Sequence, residues 1–145
     1  DVCSSDLAAS DHAYAEGNAL AVARDVDADR QTRIRSQVTT RGQTCEKWLP
    51  LWRAVNANHG EAEELRTRIK FMRDAIRERI ELMYRPELAS VDDRLRRHTV
   101  IAIEALTDFE SWGRMREQYE LSFDEAFAVW IRAIDRLLPP TPANA

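Results

Sequence analysis

Apolar residues recur every three or four positions over most of the chain, which is the period of an amphipathic α-helix. The pattern is clearest from Glu61 to Tyr84, and Pro86 is expected to end that helix. Its apolar positions are Leu65, Ile69, Met72, Ile76, Ile80 and Met83. Because no segment has a convincing strand pattern, the chain is predicted to be all-α, a bundle of five or six helices.

Two further helices are predicted before this one. The first begins near Asp27 and continues to Trp48, with Gly42 weakening its middle. Pro50 disfavours helix at the preceding residue and suits the first turn of a new helix, so residues 50–57 are predicted to form a separate short helix. Gly42 and Pro50 are therefore the places where this region is expected to bend.

The helix after Pro86 is expected to begin with Ser90 as its cap and to become apolar on nearly every side between Val100 and Leu106. A helix that is apolar all round belongs in the middle of a bundle. Glu104 lies inside this stretch. Its carboxylate is expected either to reach solvent, to pair with an arginine, or to face a polar part of a cavity.

Two capping boxes follow in the last third of the chain. Thr107 with Glu110, and Ser122 with Glu125, each place a hydroxyl at a helix start and a carboxylate three residues later. Each pair predicts the start of an amphipathic helix, and the prolines after Leu138 are expected to end the second one.

Composition is that of one globular domain: 145 residues, 44% hydrophobic and 32% charged. Three of the five prolines lie in residues 139–145, which are expected to form a disordered tail. The formal net charge is −4, and basic residues are mixed with acidic ones, so the chain lacks the basic surface that binds phosphate groups of DNA. No segment has the apolar length of an export signal or a membrane span.

The first seven residues, DVCSSDL, resemble the translated end of a common sequencing adapter carried into an assembled environmental read. We therefore expect residues 1–7 not to belong to the native protein, and residues 8–26 to be a leader. Without Cys3, Cys45 stands alone, which excludes an internal disulfide and a cysteine-rich zinc site and favours a reducing, cytoplasmic setting.

The stretch from Ile101 to Leu138 resembles the end of TetR-family transcriptional regulators. It has a core helix, the entry "TDFESW", a short amphipathic turn, the restart "LSFDEA", and a last helix that closes in "LL". The order of the upstream helices also fits that family's regulatory domain, and the resemblance covers roughly residues 27–138. Met115, where a leucine is usual, is a conservative departure.

The resemblance implies the effector-binding and dimerisation domain of a two-part regulator, which is expected to be a repressor that is released by a small hydrophobic or amphipathic ligand. It also implies a helix-turn-helix that precedes this domain and reads operator DNA. Residues 8–25 are too few for such a reader, so the leader is expected to be the remnant of a link to a missing DNA-binding domain.

In the family, the effector pocket lies inside the bundle formed by the earlier helices. A mostly apolar set with aromatic walls and a flexible methionine is expected to line it here, although any one member can be plain core. The candidates are Trp48, Leu51, Trp52, Phe71, Met72, Ala75, Ile76, Ile103, Glu104 and Leu106. His98 and Cys45 are weaker candidates for ligand contact, since each is as well explained by ordinary packing.

In the family, the last two helices pair with their twins in a four-helix bundle, so the chain is expected to be a homodimer. The large apolar residues of these helices are either at that interface or in the core of one chain, and the sequence does not say which. The interface candidates are Trp112, Met115, Tyr119, Phe127, Trp130, Ile134 and Leu137.

An enzyme is not expected, because the chain has no glycine-rich phosphate loop, no nucleophile elbow, and no histidine and carboxylate spaced for catalysis or metal binding. No cofactor is expected either. The alternative function is a stand-alone, dimeric helical module that binds a partner helix through exposed aromatic residues.

Overall fold

The computed structural model describes residues 25–58 and 63–143. Within them, the chain forms helices and no strand, so the all-α prediction is confirmed. The helices are α1 (Arg30–Asn58), α2 (Glu63–Met83), α3 (Arg85–Leu88), α4 (Asp93–Leu106), α5 (Phe109–Gly113) and α6 (Phe123–Leu137). A π-helical turn, Arg114–Gln118, follows α5 directly. The expected adapter-derived segment, 1–7, and nearly all of the expected leader, 8–26, lie outside the described residues.

Helix α1 is one continuous helix, so the predicted break at Pro50 is wrong. Asp29 caps its start, because its carboxylate accepts hydrogen bonds from the Thr32 amide, at 3.1 Å, and the Thr32 hydroxyl, at 2.6 Å. Pro50 costs the helix one backbone hydrogen bond. Leu49 and Val55 on either side are buried, and their burial holds the helix together across the proline.

Helix α2 ends at Met83, close to the predicted end, but Pro86 also has a second role. It lies in the first turn of α3, where the absent N–H of proline is not needed. Helix α3 is one turn long and buries Glu87 and Leu88. The chain between α2 and α4 is therefore a structured corner rather than a loop.

Helix α4 differs from its prediction in its capping residue and in its position in the bundle. Asp92 caps it by accepting a hydrogen bond from the Leu95 amide at 2.8 Å, whereas the Ser90 hydroxyl donates to the carbonyl of Glu87 at 2.7 Å. Val100 and Ile103 are buried, but Ile101 is 42% exposed. Helix α4 is therefore amphipathic and lies at the side of the bundle, not at its centre.

One of the two predicted capping boxes is confirmed. The Ser122 hydroxyl accepts from the Glu125 amide at 3.2 Å, and the Glu125 carboxylate accepts from the Ser122 amide at 2.8 Å. The box at Thr107 is wrong, because Asp108 is the cap of α5 and accepts from the Ser111 amide at 2.6 Å. The buried Thr107 hydroxyl instead donates to the Ile103 carbonyl at 2.8 Å.

The core lies where α5 and α6 pack against α1, while α2 packs against α4 and α4 against α6. Trp112 is fully buried at its centre and contacts the rings of three aromatic residues of α6: Phe123, Phe127 and Trp130. Gly42 allows this close approach, since a Cβ atom there would lie 3.2 Å from the Trp112 ring. The glycine expected to weaken α1 is thus a packing position.

The two ends of the described chain are joined by Arg30. Its guanidinium pairs with the Asp135 carboxylate at 2.9 Å and donates to the carbonyls of Asp135, Leu138 and Pro139 at 2.7, 3.2 and 2.5 Å. A cation there satisfies the free carbonyls at the end of α6 and matches the negative end of its dipole. With Thr141, which bonds to Glu87, these contacts place the first residues of the expected disordered tail against the helical body.

Candidate functional site

The residues predicted to line an effector pocket come from three helices that the fold brings together, α1, α2 and α4. Five of them are partly buried and pack against the common core: Trp48, Trp52, Met72, Ile76 and Leu106. Leu51 and Ala75 are also partly buried. Ile103 is completely enclosed in the core, whereas Phe71 is 60% exposed. The five that pack against the core therefore lie at its edge, whereas Ile103 and Phe71 do not.

Trp52 has the most distinctive environment in this set. Its indole ring stacks on Phe109, with ring centroids 5.0 Å apart and an interplanar angle of 16°. Within residues 25–58 and 63–143, its buried N–H has no hydrogen-bond acceptor. The Trp130 N–H is also unpaired, but that residue is fully enclosed, whereas Trp52 is partly exposed. Part of the Trp52 ring is therefore open to solvent, whereas its N–H group is not.

The three polar candidates have ordinary packing or pairing. Glu104 pairs with Arg73, with 4.0 Å between Oε1 and Nε, which is one of the three environments expected for it. His98 is exposed on α4. Cys45 is completely buried, and this burial raises the pKa of its thiol to about 11, so the thiol is protonated and unreactive at neutral pH.

A second polar arrangement at the other side of α1 is not evident in the sequence. Glu46 accepts hydrogen bonds from the Trp112 indole N–H at 2.6 Å and from the Arg116 guanidinium at 3.0 and 3.2 Å. The Arg116 hydrogen bond and then the Trp112 hydrogen bond lower the pKa of Glu46, against the opposing effect of partial burial. This carboxylate fastens α1 to α5 and to the π-helical turn.

Replacing Glu46 with glutamine is expected to reduce stability at neutral pH by about 0.5–1 kcal/mol, the range for solvent-screened pairs, since the side chain is 42% exposed. Because the pKa of Glu46 is lower in the folded state, its ionised carboxylate stabilises the fold at pH values above the ordinary glutamate pKa. This stabilisation is lost as pH falls through the pKa of the folded state. The difference between wild type and Glu46→Gln should therefore shrink below about pH 5 in urea titrations. In an Arg116→Ala background the same substitution should have a weaker pH dependence, and an equal dependence would contradict this assignment.

The seven predicted dimer-interface residues divide between the core and the surface. Trp112, Met115, Trp130 and Ile134 are buried within the single chain, because α5 and one face of α6 pack on α1. Phe127 is partly buried and packs against the same core. Tyr119 and Leu137 are 66% and 40% exposed and are accessible to a partner. The apolar side of α5 therefore faces α1.

The helices α4 and α6 contact each other, and each exposes large apolar side chains. Four large apolar side chains on these helices are 40–47% exposed: Leu95, Ile101, Val129 and Leu137. On α6, Ala133 lies one turn from both Val129 and Leu137, so the three residues form a continuous row. We call these five residues the α4–α6 face.

Comparisons with known proteins gave no matching family model, curated protein or solved structure. Among the described residues, no group of three or more His, Cys, Asp or Glu side chains is arranged to hold a metal ion. No helix in residues 25–58 and 63–143 is both long enough and apolar enough to cross a bilayer.

Proposed function

We propose that the chain is the effector-binding and dimerisation domain of a TetR-type transcriptional regulator, which binds operator DNA through a separate helix-turn-helix domain. The resemblance of residues 101–138 to that family is the starting point for this proposal. The single observation that carries it further is the α4–α6 face: an apolar row on α6 and two exposed apolar residues on α4, which contacts α6.

We propose the α4–α6 face as the interface of an isologous dimer. In such a dimer the same surface on both chains is self-complementary, and two helices from each chain make a four-helix bundle. Leu95, Ile101, Val129 and Leu137 are each only partly covered in one chain, so pairing would remove further apolar area from water. The proposed bundle uses α4 and α6 rather than the last two helices, because α5 is packed on α1.

The effector site is proposed at the edge of the core around Trp52. The neighbouring candidates on α1, α2 and α4 give an apolar and aromatic surface, and Trp52 adds one buried donor without an acceptor. A lone donor among apolar groups is a poor site for water, which needs two to four polar partners. It suits an apolar organic molecule that has one acceptor oxygen, such as an aromatic ketone or amide.

Dimerisation is tested by light scattering of the full chain, which should report about twice the 16.7 kDa chain mass at micromolar concentration. The double variant Val129→Glu/Leu137→Glu should be monomeric with unchanged helix content by circular dichroism, because charges at a closed interface are strongly unfavourable. Leu82→Glu, on α2 and equally exposed, is the matched control and should remain dimeric. A wild-type monomer would reject the proposal.

Effector binding separates the regulator from the alternative dimeric interaction module. A panel of aromatic ketones and amides should include compounds that raise the melting temperature of the wild type, since a ligand of the folded state stabilises it. Trp52→Phe retains the ring and removes the donor, so it should reduce that rise. A dimer whose melting temperature no compound raises would support the interaction module instead.

A further inference from the structure

A second group of polar side chains is buried where the start of α1, the helix α3 and the segment after α6 meet. Its members are Arg33, Tyr84, Glu87 and Thr141, and Arg33, Tyr84 and Glu87 are at most 4% exposed. The group shares no residue with the proposed effector site and has no part in that proposal. Fully buried charged and hydroxyl groups need partners, so the hydrogen bonds of each can be followed atom by atom.

Some polar atoms of the group form hydrogen bonds, and others have no partner. Arg33 donates to Glu87 Oε1 and, at 2.8 Å, to the Ala28 carbonyl. The Thr141 hydroxyl donates to the same Glu87 oxygen at 2.5 Å. Three buried atoms have no partner among the described residues: Arg33 Nε, Tyr84 Oη and Glu87 Oε2.

These three atoms restrict the chemistry of what can satisfy them. Arg33 Nε is a donor, Glu87 Oε2 is an acceptor, and the Tyr84 hydroxyl can be either. Burial first, and then the negative charge of Glu87, raise the pKa of Tyr84, so the hydroxyl keeps its proton at neutral pH. Glu87 would repel an anion, and Arg33 would repel a cation. Because the charges of Arg33 and Glu87 offset each other, one partner for all three atoms would be neutral and would both donate and accept.

The three side chains that carry these atoms are themselves almost completely buried. A water molecule in a protein interior makes about three hydrogen bonds to otherwise unpaired polar groups. Its donors and acceptors match these atoms: it would accept from Arg33 Nε, donate to Glu87 Oε2, and exchange a hydrogen bond with Tyr84 Oη. We propose that the chain binds an internal water molecule at this position, which links α1 to α3 through these three atoms.

A crystal structure at about 1.5 Å resolution tests the proposal directly. One ordered water should lie within normal hydrogen-bond distance, about 2.7–3.2 Å, of Arg33 Nε, Tyr84 Oη and Glu87 Oε2. Direct pairing between these atoms, or an empty site around three unpaired groups, would overturn it. A larger bound molecule in the same density would overturn it too, because the proposal requires a ligand of the size of water.

The direction in which one substitution changes the folding equilibrium constant tests the proposal in solution. If Tyr84 bonds to a bound water, Tyr84→Phe should reduce the folding equilibrium constant about fivefold, which is the net effect of one lost hydrogen bond. If the hydroxyl is dry and unpaired, its removal should increase the constant instead, and the proposal fails. Tyr119→Phe is the matched control, since Tyr119 is 66% exposed, and it should leave the constant unchanged.

Discussion

Replacing Trp112 with alanine is expected to lower the free energy of unfolding by about 3–5 kcal/mol, the range for a fully buried tryptophan. Trp112 and Trp130 are the largest fully buried side chains, and Trp112 contacts the rings of Phe123, Phe127 and Trp130. The substitution leaves a cavity between α1, α5 and α6, and it removes the hydrogen bond to Glu46. Urea or guanidinium titration followed by circular dichroism measures the change.

Two further variants keep this prediction testable if the alanine variant does not fold. Trp112→Phe leaves a smaller cavity and should lose clearly less stability. Trp48→Ala removes the same side chain from a partly buried position on α1, and it should also be milder. If Trp48→Ala were as damaging as Trp112→Ala, Trp112 would not be the centre of the core.

The all-α class could be predicted from the sequence, because the spacing of apolar residues along a helix is a local property. The start of α6 was predictable for the same reason, since both partners of the Ser122 box lie within one turn. At the start of α5, two residues with capping side chains stand side by side, and the sequence does not show that Asp108 rather than Thr107 is used. Pro50 misled the prediction because distant packing outweighed a local preference.

The polar contacts could not be predicted, because their partners are far apart in the sequence. Glu46 lies 66 residues from Trp112, and Arg33 lies 54 residues from Glu87. In the sequence, all of these charged residues look like members of solvated helix faces. The same limitation applies to Trp112. The spacing of apolar residues around it predicts that it is buried, but not whether α1 or a second chain covers it.

The second large effect is expected at the buried pair of Arg33 and Glu87. Replacing Arg33 with methionine should lower the free energy of unfolding by about 3–5 kcal/mol, because it leaves the carboxylate of Glu87 buried without its main partner. Arg30 does not replace it, since its nearest atom is 3.9 Å from Glu87 and its guanidinium already binds the end of α6. Denaturant titration measures this change.

Replacing both residues with methionine should recover most of the loss, because a well-packed apolar pair has no charge to bury. The double-mutant cycle should therefore give a coupling energy of at least about 2 kcal/mol, and sites this close are expected to be non-additive. If the double variant is as unstable as Arg33→Met alone, the loss comes instead from the Arg33 bond to the Ala28 carbonyl or from packing. A recovered double variant would show that the Glu87 charge, and not the shape of the arginine, makes Arg33 necessary.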